Sequence, residues 1–208
     1  MRKVIASMNV TLDGFMAGCN GELDWHFNYW NEEMANYADE LLSNADTILL
    51  GRVTYEAMAQ YWPFKIMDLS FPRADIHFAE RMNSYTKIVF SKTLTTTGWN
   101  NSRLVNGNIE DEITQLKQEP GKNIIIYGSG SIVAALMKLG LIDEYVLWVH
   151  PVVLGNGKSL FKVLYHKLTL KLLNAKTFSS GVVILHYKTV NQSKRLKNLN
   201  YKKIFLER

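Results

Sequence analysis

The sequence predicts an α/β fold: one domain on a mostly parallel sheet of about eight strands, helices on both faces, and a C-terminal antiparallel hairpin. Three observations predict it. Short apolar runs alternate with amphipathic segments through the middle of the chain, the pattern of parallel strands joined by crossover helices. Two strand-to-helix junctions carry glycine, at Leu49-Leu50-Gly51-Arg52-Val53-Thr54-Tyr55-Glu56 and at Ile126-Tyr127-Gly128-Ser129-Gly130-Ser131-Ile132. Two apolar runs near the end flank Ser179-Ser180-Gly181, a turn signal between paired strands.

The elements follow in order. Val4 to Val10 reads as a first strand, and a loop runs through Thr11-Leu12-Asp13-Gly14 and Gly18 to Gly21. Asn31 caps a helix from about Glu32 to Leu42, with Met34, Tyr37, Ala38, Leu41 and Leu42 on one face. Thr47–Leu50 is a short buried strand, and Val53–Tyr61 a helix ended near Pro63. A third helix covers about Ala74–Met82, and Lys87–Phe90 is a strand leading into Ser91-Lys92-Thr93. A short strand at Arg103–Val105 precedes a helix at Ile109–Gln118, which Pro120-Gly121 stops. Asn123–Tyr127 is a strand, Ser131–Leu139 a helix ended by Gly140, and Glu144–Val149 another strand. Strands at about Leu168–Phe178 and Val182–Val190 form the hairpin. The domain spans residues 1–190; residues 191–208 form a tail without periodicity, apart from Ile204-Phe205-Leu206.

With 208 residues, 47% of them hydrophobic and 21% charged, the chain has the composition of a globular domain with a sizeable core. Its single cysteine, Cys19, excludes an internal disulfide, fits a reducing cytoplasm, and is read as a small packing residue. No apolar run approaches the roughly 18 residues of a membrane span, and the N-terminus is not a signal peptide. The net charge of +5 is local: six of the 24 basic residues but only Glu207 among the acids lie in 190–208, which leaves 18 of each sign elsewhere. A nucleic-acid binder carries its charge on the folded surface, so none is expected here.

A helix N-terminus offers free N–H groups and a partial positive charge to phosphate. One glycine junction is common; two in one small domain suit a long ligand with several phosphates, such as a dinucleotide. Gly128-x-Gly130 is not the ordinary dinucleotide fingerprint, because Val133 stands where a third glycine belongs and no acid follows about 20 residues on. A tight turn without ligand remains the alternative. At the other junction Thr54 offers a hydroxyl and an N–H, and Arg52 a charged fork for a phosphomonoester; a solvated arginine beside a capping threonine is the alternative. Ser91 and Lys92 follow the next strand at the same carboxyl edge, where open α/β sheets bind ligands. Arg52 and Lys92 together would favour NADP over NAD, although Lys92 alone reads as a surface lysine. His26, His77, His150, His166 and His186 lack metal-ligand spacing, and no metal site is expected. The aromatic set Trp25, Phe27, Tyr29, Trp30, Tyr55, Tyr61 and Trp62 brackets the first helix, and a few of these rings could wall a planar heterocycle.

Four blocks in order resemble the dihydrofolate reductase-like superfamily, specifically the C-terminal reductase domain of the riboflavin-biosynthesis protein RibD. They are Met8 to Ala17, Gly51 to Glu56, Tyr127 to Ile132, and His150-Pro151-Val152-Val153-Leu154-Gly155-Asn156-Gly157. The resemblance covers about residues 1–190 and implies a three-layer dihydrofolate reductase-like fold and an NADPH-dependent reductase. It implies that Gly51, Arg52, Val53 and Thr54 hold adenosine-side phosphates, that Ser91 and Lys92 flank the 2′-phosphate, and that Tyr127, Gly128, Ser129, Gly130, Ser131 and Ile132 cover the pyrophosphate. Leu12, Asp13, Gly14 and Trp25 would then meet nicotinamide and substrate, with Asp13 and Trp25 as the catalytic candidates. The Asp13-Gly14 pair is equally a turn signal.

Several departures bear on the substrate. The carboxylate with which dihydrofolate reductase binds its pterin has only Glu32 and Glu33 as counterparts, in a stretch of different length. The riboflavin enzyme's substrate carries a phosphate, yet residues 11–30 hold no lysine or arginine. Lys158, Lys65, Arg73 and Arg81 are the other basic groups near candidate loops, and no deaminase half accompanies the reductase. The expectation is a stand-alone relative of the riboflavin reductase that reduces a planar heterocycle or carbonyl compound in the cytoplasm. A non-catalytic NADP-binding module and a true dihydrofolate reductase are the alternatives. The resemblance also implies a homodimer, with Val146–Val153 and Val182–Leu185 as apolar material for an interface or for the core.

Overall fold

A computed structural model describes residues 1–190 apart from Leu69, Lys162, Val163, Tyr165 and His166. The charged tail and His166 therefore lie outside the described residues. In chain order the elements are β1 (Val4–Thr11), β2 (Phe15–Ala17), α1 (Asp24–Phe27), α2 (Glu32–Ser43), β3 (Ala45–Gly51), α3 (Arg52–Lys65), α4 (Arg73–Ser84) and β4 (Thr86–Phe90). They continue with β5 (Ser102–Val105), α5 (Ile109–Gln118), β6 (Asn123–Tyr127), α6 (Gly130–Leu139), β7 (Glu144–His150), β8 (Lys158–Ser159), β9 (Leu170–Thr177) and β10 (Val183–Thr189).

The main sheet has eight strands in the order β5-β4-β3-β6-β1-β7-β10-β9. The six strands from β5 to β7 are parallel, and β10 and β9 add the antiparallel hairpin at one edge. One face packs on α5 and α6 through Ile113, Leu116, Ile132, Val133, Leu136 and Met137. The other packs on α2, α3 and α4 through Met34, Ala38, Leu42, Tyr55, Phe78 and Met82. These three layers are the dihydrofolate reductase-like architecture that the sequence predicts.

β1 lies between β6 and β7 and is covered on both faces. Val4, Ala6, Met8 and Val10 join the α5–α6 core, and Ile5 joins the opposite core. Beyond Ile5 that second face turns polar: Ser7, Asn9 and Thr11 alternate with the apolar residues. On β7, Trp148 and His150 sit beside them in register with Asn9 and Thr11. This polar strip opens toward the carboxyl edge of the sheet.

Three expectations need correction. The helix at the first junction does not stop at Tyr61 but runs on to Lys65, with Pro63 inside its last turn. A two-stranded ribbon of β2 and β8, and the one-turn helix α1, were not foreseen because each is too short to carry a period. Cys19 is exposed, not a packing residue. Of the apolar material offered for an interface or for the core, Val146, Leu147, Trp148, Val182 and Ile184 are buried within this subunit, while Pro151 and Val153 are exposed.

The hairpin is pinned to the sheet by charge. Glu144, almost fully buried, accepts from Lys3 Nζ at 2.8 Å and pairs with His186 Nε2 at 2.9 Å. The His186 bond, then that of Lys3, pulls its carboxyl down to about 2. The folded state therefore binds this proton less tightly than the unfolded chain. The stabilisation is present above pH 4.5 and is lost as pH falls toward 2. Urea midpoints measured between pH 6 and pH 3 are expected to fall less steeply for Glu144→Gln than for the wild type, by on the order of 2–3 kcal/mol at full protonation. Parallel acid branches would remove Glu144 from this role.

Candidate functional site

The register brings the predicted site residues to one edge. Gly51 is opposite Phe90, Leu49 opposite Ile126, Ser7 opposite Tyr127 and Thr11 opposite His150. The chain thus leaves the sheet, strand by strand, at Ser91, Arg52, Gly128, Leu12 and Pro151. Three strand spacings of about 4.8 Å separate the exits of β4 and β1, roughly 14 Å in all. An extended dinucleotide diphosphate has that reach.

The two glycine junctions are bonded to each other. The Gly51 N–H donates to Ser129 Oγ at 2.7 Å, and the Ser129 N–H donates to Thr54 Oγ1 at 3.1 Å. Gly128 has φ +58°, and a Cβ there would stand 3.3 Å from Thr54 Cγ2. Ser129 also takes a left-handed conformation, φ 52°. A Cβ on Gly130 would fall 2.2 Å from Met16 Cε, so the loop after β1 closes directly on α6. Neither α3 nor α6 has a side-chain cap, whereas Asn31 and Asn108 cap α2 and α5. The Ile132 N–H is taken by Ser129 O at 2.9 Å, and the N–H groups of Gly130 and Ser131, with those at the start of α3, have no acceptor recorded among the described residues. A diphosphate fits this donor set and the two glycine approaches.

The side chains around the junctions differ in readiness. Arg52 pairs with Glu56 at 2.9 Å, both half-exposed. An exposed i,i+4 pair contributes only about 0.3–0.5 kcal/mol, so Arg52 is easily recruited to a phosphate. Val53 and Lys92 are exposed, while Ile132 is buried under α6 and Ser131 faces solvent. The Ser91 hydroxyl accepts from the N–H groups of Thr93 at 3.1 Å and Leu94 at 2.9 Å, which fixes the turn carrying Lys92. The Tyr127 ring turns inward against Phe78, its hydroxyl has no hydrogen-bond partner among the described residues, and burial pushes its pKa up. Only the Tyr127 backbone reaches the edge.

Asp13 works as a clamp. Its carboxylate accepts from Thr11 Oγ1 at 2.5 Å and from the Gly155 and Leu154 N–H groups at 2.7 and 3.3 Å. These bonds, the Thr11 hydroxyl first, lower its pKa, so it stays ionised and holds no proton to donate. Gly14 (φ +82°) turns the chain back, with its N–H on Thr11 O at 2.9 Å, and Leu12 projects into solvent beside it. Gly157 is required below: a Cβ there would lie 2.4 Å from Ala17 O.

Trp25 caps a cluster that the motif analysis missed. Its ring meets His150 edge-on at 5.3 Å, with His26 at 5.8 Å and Tyr29 at 5.7 Å from the same imidazole. His150 is almost wholly buried and bonds through Nε2 to Asn9 Oδ1 at 3.1 Å. Next to it Trp148 donates to Ser7 Oγ at 3.0 Å and faces Trp30. Trp30 Nε1 donates at 3.1 Å to Asp75, a buried carboxyl in the first turn of α4, whose pKa burial raises. One signal in the sequence could have found this cluster. A strand covered on both faces has no reason to alternate Ser7, Asn9 and Thr11 with Met8 and Val10 unless one face lines a site.

The folate-type carboxylates do not join it. Glu33 accepts from the Ser179 N–H at 3.0 Å and from its hydroxyl at 3.1 Å, and Glu32 is exposed at the start of α2. At the opposite edge a groove of about 660 Å³ is lined by Arg2, Asp46, Thr47, Arg103 and Glu112. Two ion pairs lie in it, Arg2 with Asp46 and Arg103 with Glu112. Among the described residues no group of acids, histidines or cysteines could hold a metal ion, and no helix is long and apolar enough to cross a membrane.

The family model of the RibD C-terminal domain matches residues 2–184. The chain is 40% identical over 186 residues to the uncharacterized protein YyaP of Bacillus subtilis, covering 89% of this chain and 94% of that one. A putative riboflavin biosynthesis protein from Shewanella sp. PV-4 superposes with TM-score 0.71 at 24% identity, over 91% of this chain and 99% of that one. The deaminase/5-amino-6-(5-phosphoribosylamino)uracil reductase of Thermotoga maritima superposes with TM-score 0.61 at 14% identity, over 91% of this chain and 57% of that one. Dihydrofolate reductase from Enterococcus faecalis, solved with NADP(H), gives TM-score 0.58 at 13% identity, over 91% of this chain and 97% of that one.

Proposed function

Because the chain belongs to the RibD C-terminal domain family, whose model spans residues 2–184, we propose that it is an NADPH-dependent reductase of a small planar heterocycle or carbonyl compound. One observation carries the reading: two uncapped helix N-termini, cross-bonded through Ser129, stand beside a buried aromatic and polar cluster at the same sheet edge. The first is chemistry for a diphosphate, the second for a ring.

In this reading the N–H groups at Arg52 to Thr54 and at Gly130 and Ser131 hold the diphosphate, with Tyr127, Ser129 and Ile132 shaping the turn, and Gly51 and Gly128 permit its close approach. Arg52 leaves Glu56 for the 2′-phosphate, with Ser91 and Lys92 beside it. Leu12 and Gly14 flank the nicotinamide, whose chemistry when bound is hydride donation. Reducing a C=N or C=O bond adds hydride to carbon and a proton to the heteroatom. Asp13, ionised, holds the loops that shape the pocket. Asp75 is the proton-holding group, since burial keeps its carboxyl protonated to higher pH than an ordinary aspartate. Trp25, Tyr29 and Trp30 wall the ring. A cytoplasmic homodimer remains part of the proposal.

The test is a titration of NADPH and NADH into the wild type and Arg52→Ala. Charge-assisted contacts contribute about 1.5–3 kcal/mol, so NADPH affinity is expected to fall about 10- to 100-fold and NADH affinity to hold. Equal losses for both cofactors would refute the 2′-phosphate role, and no binding of either would refute the reductase. Cofactor oxidation against dihydrofolate, the ribosylaminopyrimidine phosphate, pterins and quinones then sorts the substrate.

A further inference from the structure

His150 and Asn9 form a hydrogen-bonded pair whose remaining donor and acceptor capacity has no partner recorded among the described residues. The Asn9 side-chain oxygen only accepts, so the imidazole carries its hydrogen on Nε2 and shows a lone pair at Nδ1. That Nδ1 is buried with no partner among the described residues. Burial, then the neighbouring His26, pulls the His150 pKa down to about 4, so the ring is neutral. A buried acceptor left unmatched is costly, and such groups in a folded protein call for a partner. The Asn9 amide hydrogens likewise have no partner recorded among the described residues.

What covers Nδ1 is lightly held. The rings of Trp25, His26 and Tyr29 lie against His150, yet the hydrogen bonds recorded for residues 20–29 all stay within residues 18–30: Trp25 Nε1 to Glu22 O, His26 N to Leu23 O and Tyr29 N to His26 O among them. Among the described residues the four-residue helix α1 meets His150 through ring contacts and has no recorded hydrogen bond to the sheet. Displacing it forfeits no hydrogen bond to the sheet recorded among the described residues, and it would uncover His150 Nδ1 and Asn9 between the aromatic rings.

We propose that His150 and Asn9 read the ring of the substrate, with Nδ1 accepting from a ring N–H and the Asn9 amide donating to an adjacent carbonyl. The ligand class is a neutral planar heterocycle with an –NH–C(=O)– edge, seated beneath α1. This rests on the reductase reading for the identity of the site, not for its chemistry.

The test is quenching of the protein's tryptophan fluorescence by uracil and by 1,3-dimethyluracil, which keeps the ring but has no N–H. The wild type is expected to bind uracil at least about tenfold more tightly than the dimethyl compound, because the methyl analogue leaves Nδ1 unmatched. His150→Leu should bind the two alike. His150→Gln, whose side-chain oxygen also accepts, should restore part of the preference and guards against a folding defect in the leucine variant. NADPH affinity should not change in either variant. The proposal is overturned if the wild type does not discriminate, if it binds neither compound, or if the preference survives in His150→Leu. Failure of NADPH binding with the discrimination intact would instead refute the reductase reading and leave the ring-reading pair standing.

Discussion

Asp75→Asn is expected to lower turnover about 100-fold or more while leaving NADPH affinity unchanged. The magnitude is that of a positioned proton donor. The carboxyl is set apart from the other acids of the chain by position and surroundings. It sits in the first turn of α4, whose far end leads directly into β4, so the carboxyl lies at the carboxyl edge of the sheet. It accepts from Trp30 Nε1, and Trp30 stacks toward Trp148 on the polar strip. Burial is the first cause of its raised pKa, with the Trp30 bond opposing it. The sign follows. The protonated form is the active one, so wild-type turnover should fall as pH rises through the raised pKa, and the asparagine variant should lose that limb. The same proton is bound more tightly in the folded state, so its contribution to stability also declines as pH rises above the ordinary aspartate range. A full-rate Asp75→Asn enzyme, or one with an unchanged pH profile, would transfer the proton to water and reduce Asp75 to a ligand of Trp30.

The sequence made the sheet and its carboxyl edge legible because long-range order there follows local pattern. Apolar runs at Thr47–Leu50 and Asn123–Tyr127 can only be buried strands, and glycine at Gly51 and Gly128 marks where backbone must come close. The bond between the junctions, Gly51 N–H to Ser129 Oγ, is 78 residues away in sequence and has no local signature. The ring cluster was hidden for another reason. His150 reads as an isolated histidine at the end of a strand, and its meaning comes only from Asn9 across the sheet and from α1, a single turn too short for any periodicity. Asp75 looks like an ordinary acidic residue near a helix start; only the packing of Trp30 buries it. Asp13 went the other way. The turn alternative was visible in Asp13-Gly14, and the structure adds the long-range bonds to Leu154 and Gly155 that make the carboxylate a clamp.

Lys87→Met is expected to destabilise the fold by about 2–4 kcal/mol at pH 7, although it removes a buried charge. Two effects compete. The ammonium is fully buried, with no carboxylate among its recorded partners, and burial pulls its pKa down to about 8, which argues that a neutral replacement should help. Against this, all three of its hydrogens are used: Nζ donates to Met82 O at 2.9 Å, Asn83 O at 2.9 Å and Tyr85 O at 2.8 Å. It also lies 4.4 Å from the centre of the Trp99 ring, which favours the cation. These carbonyls end α4, where no helical N–H remains to satisfy them. Asn83 O keeps a second donor in Asn101 Nδ2 at 3.2 Å, but Met82 O and Tyr85 O have no other side-chain donor recorded among the described residues. Each buried acceptor left open costs about 1–3 kcal/mol, and two of them outweigh the relief of desolvation. The pH dependence provides an independent check. Folding holds this proton less tightly than the unfolded chain does, so wild-type stability should rise between pH 8 and 10.5, a gain the methionine variant lacks. Urea unfolding of both proteins at pH 7 and pH 9.5 should therefore show a gap that widens with pH. A variant as stable as the wild type at pH 7 would mean that desolvation, not the capped carbonyls, dominates at Lys87.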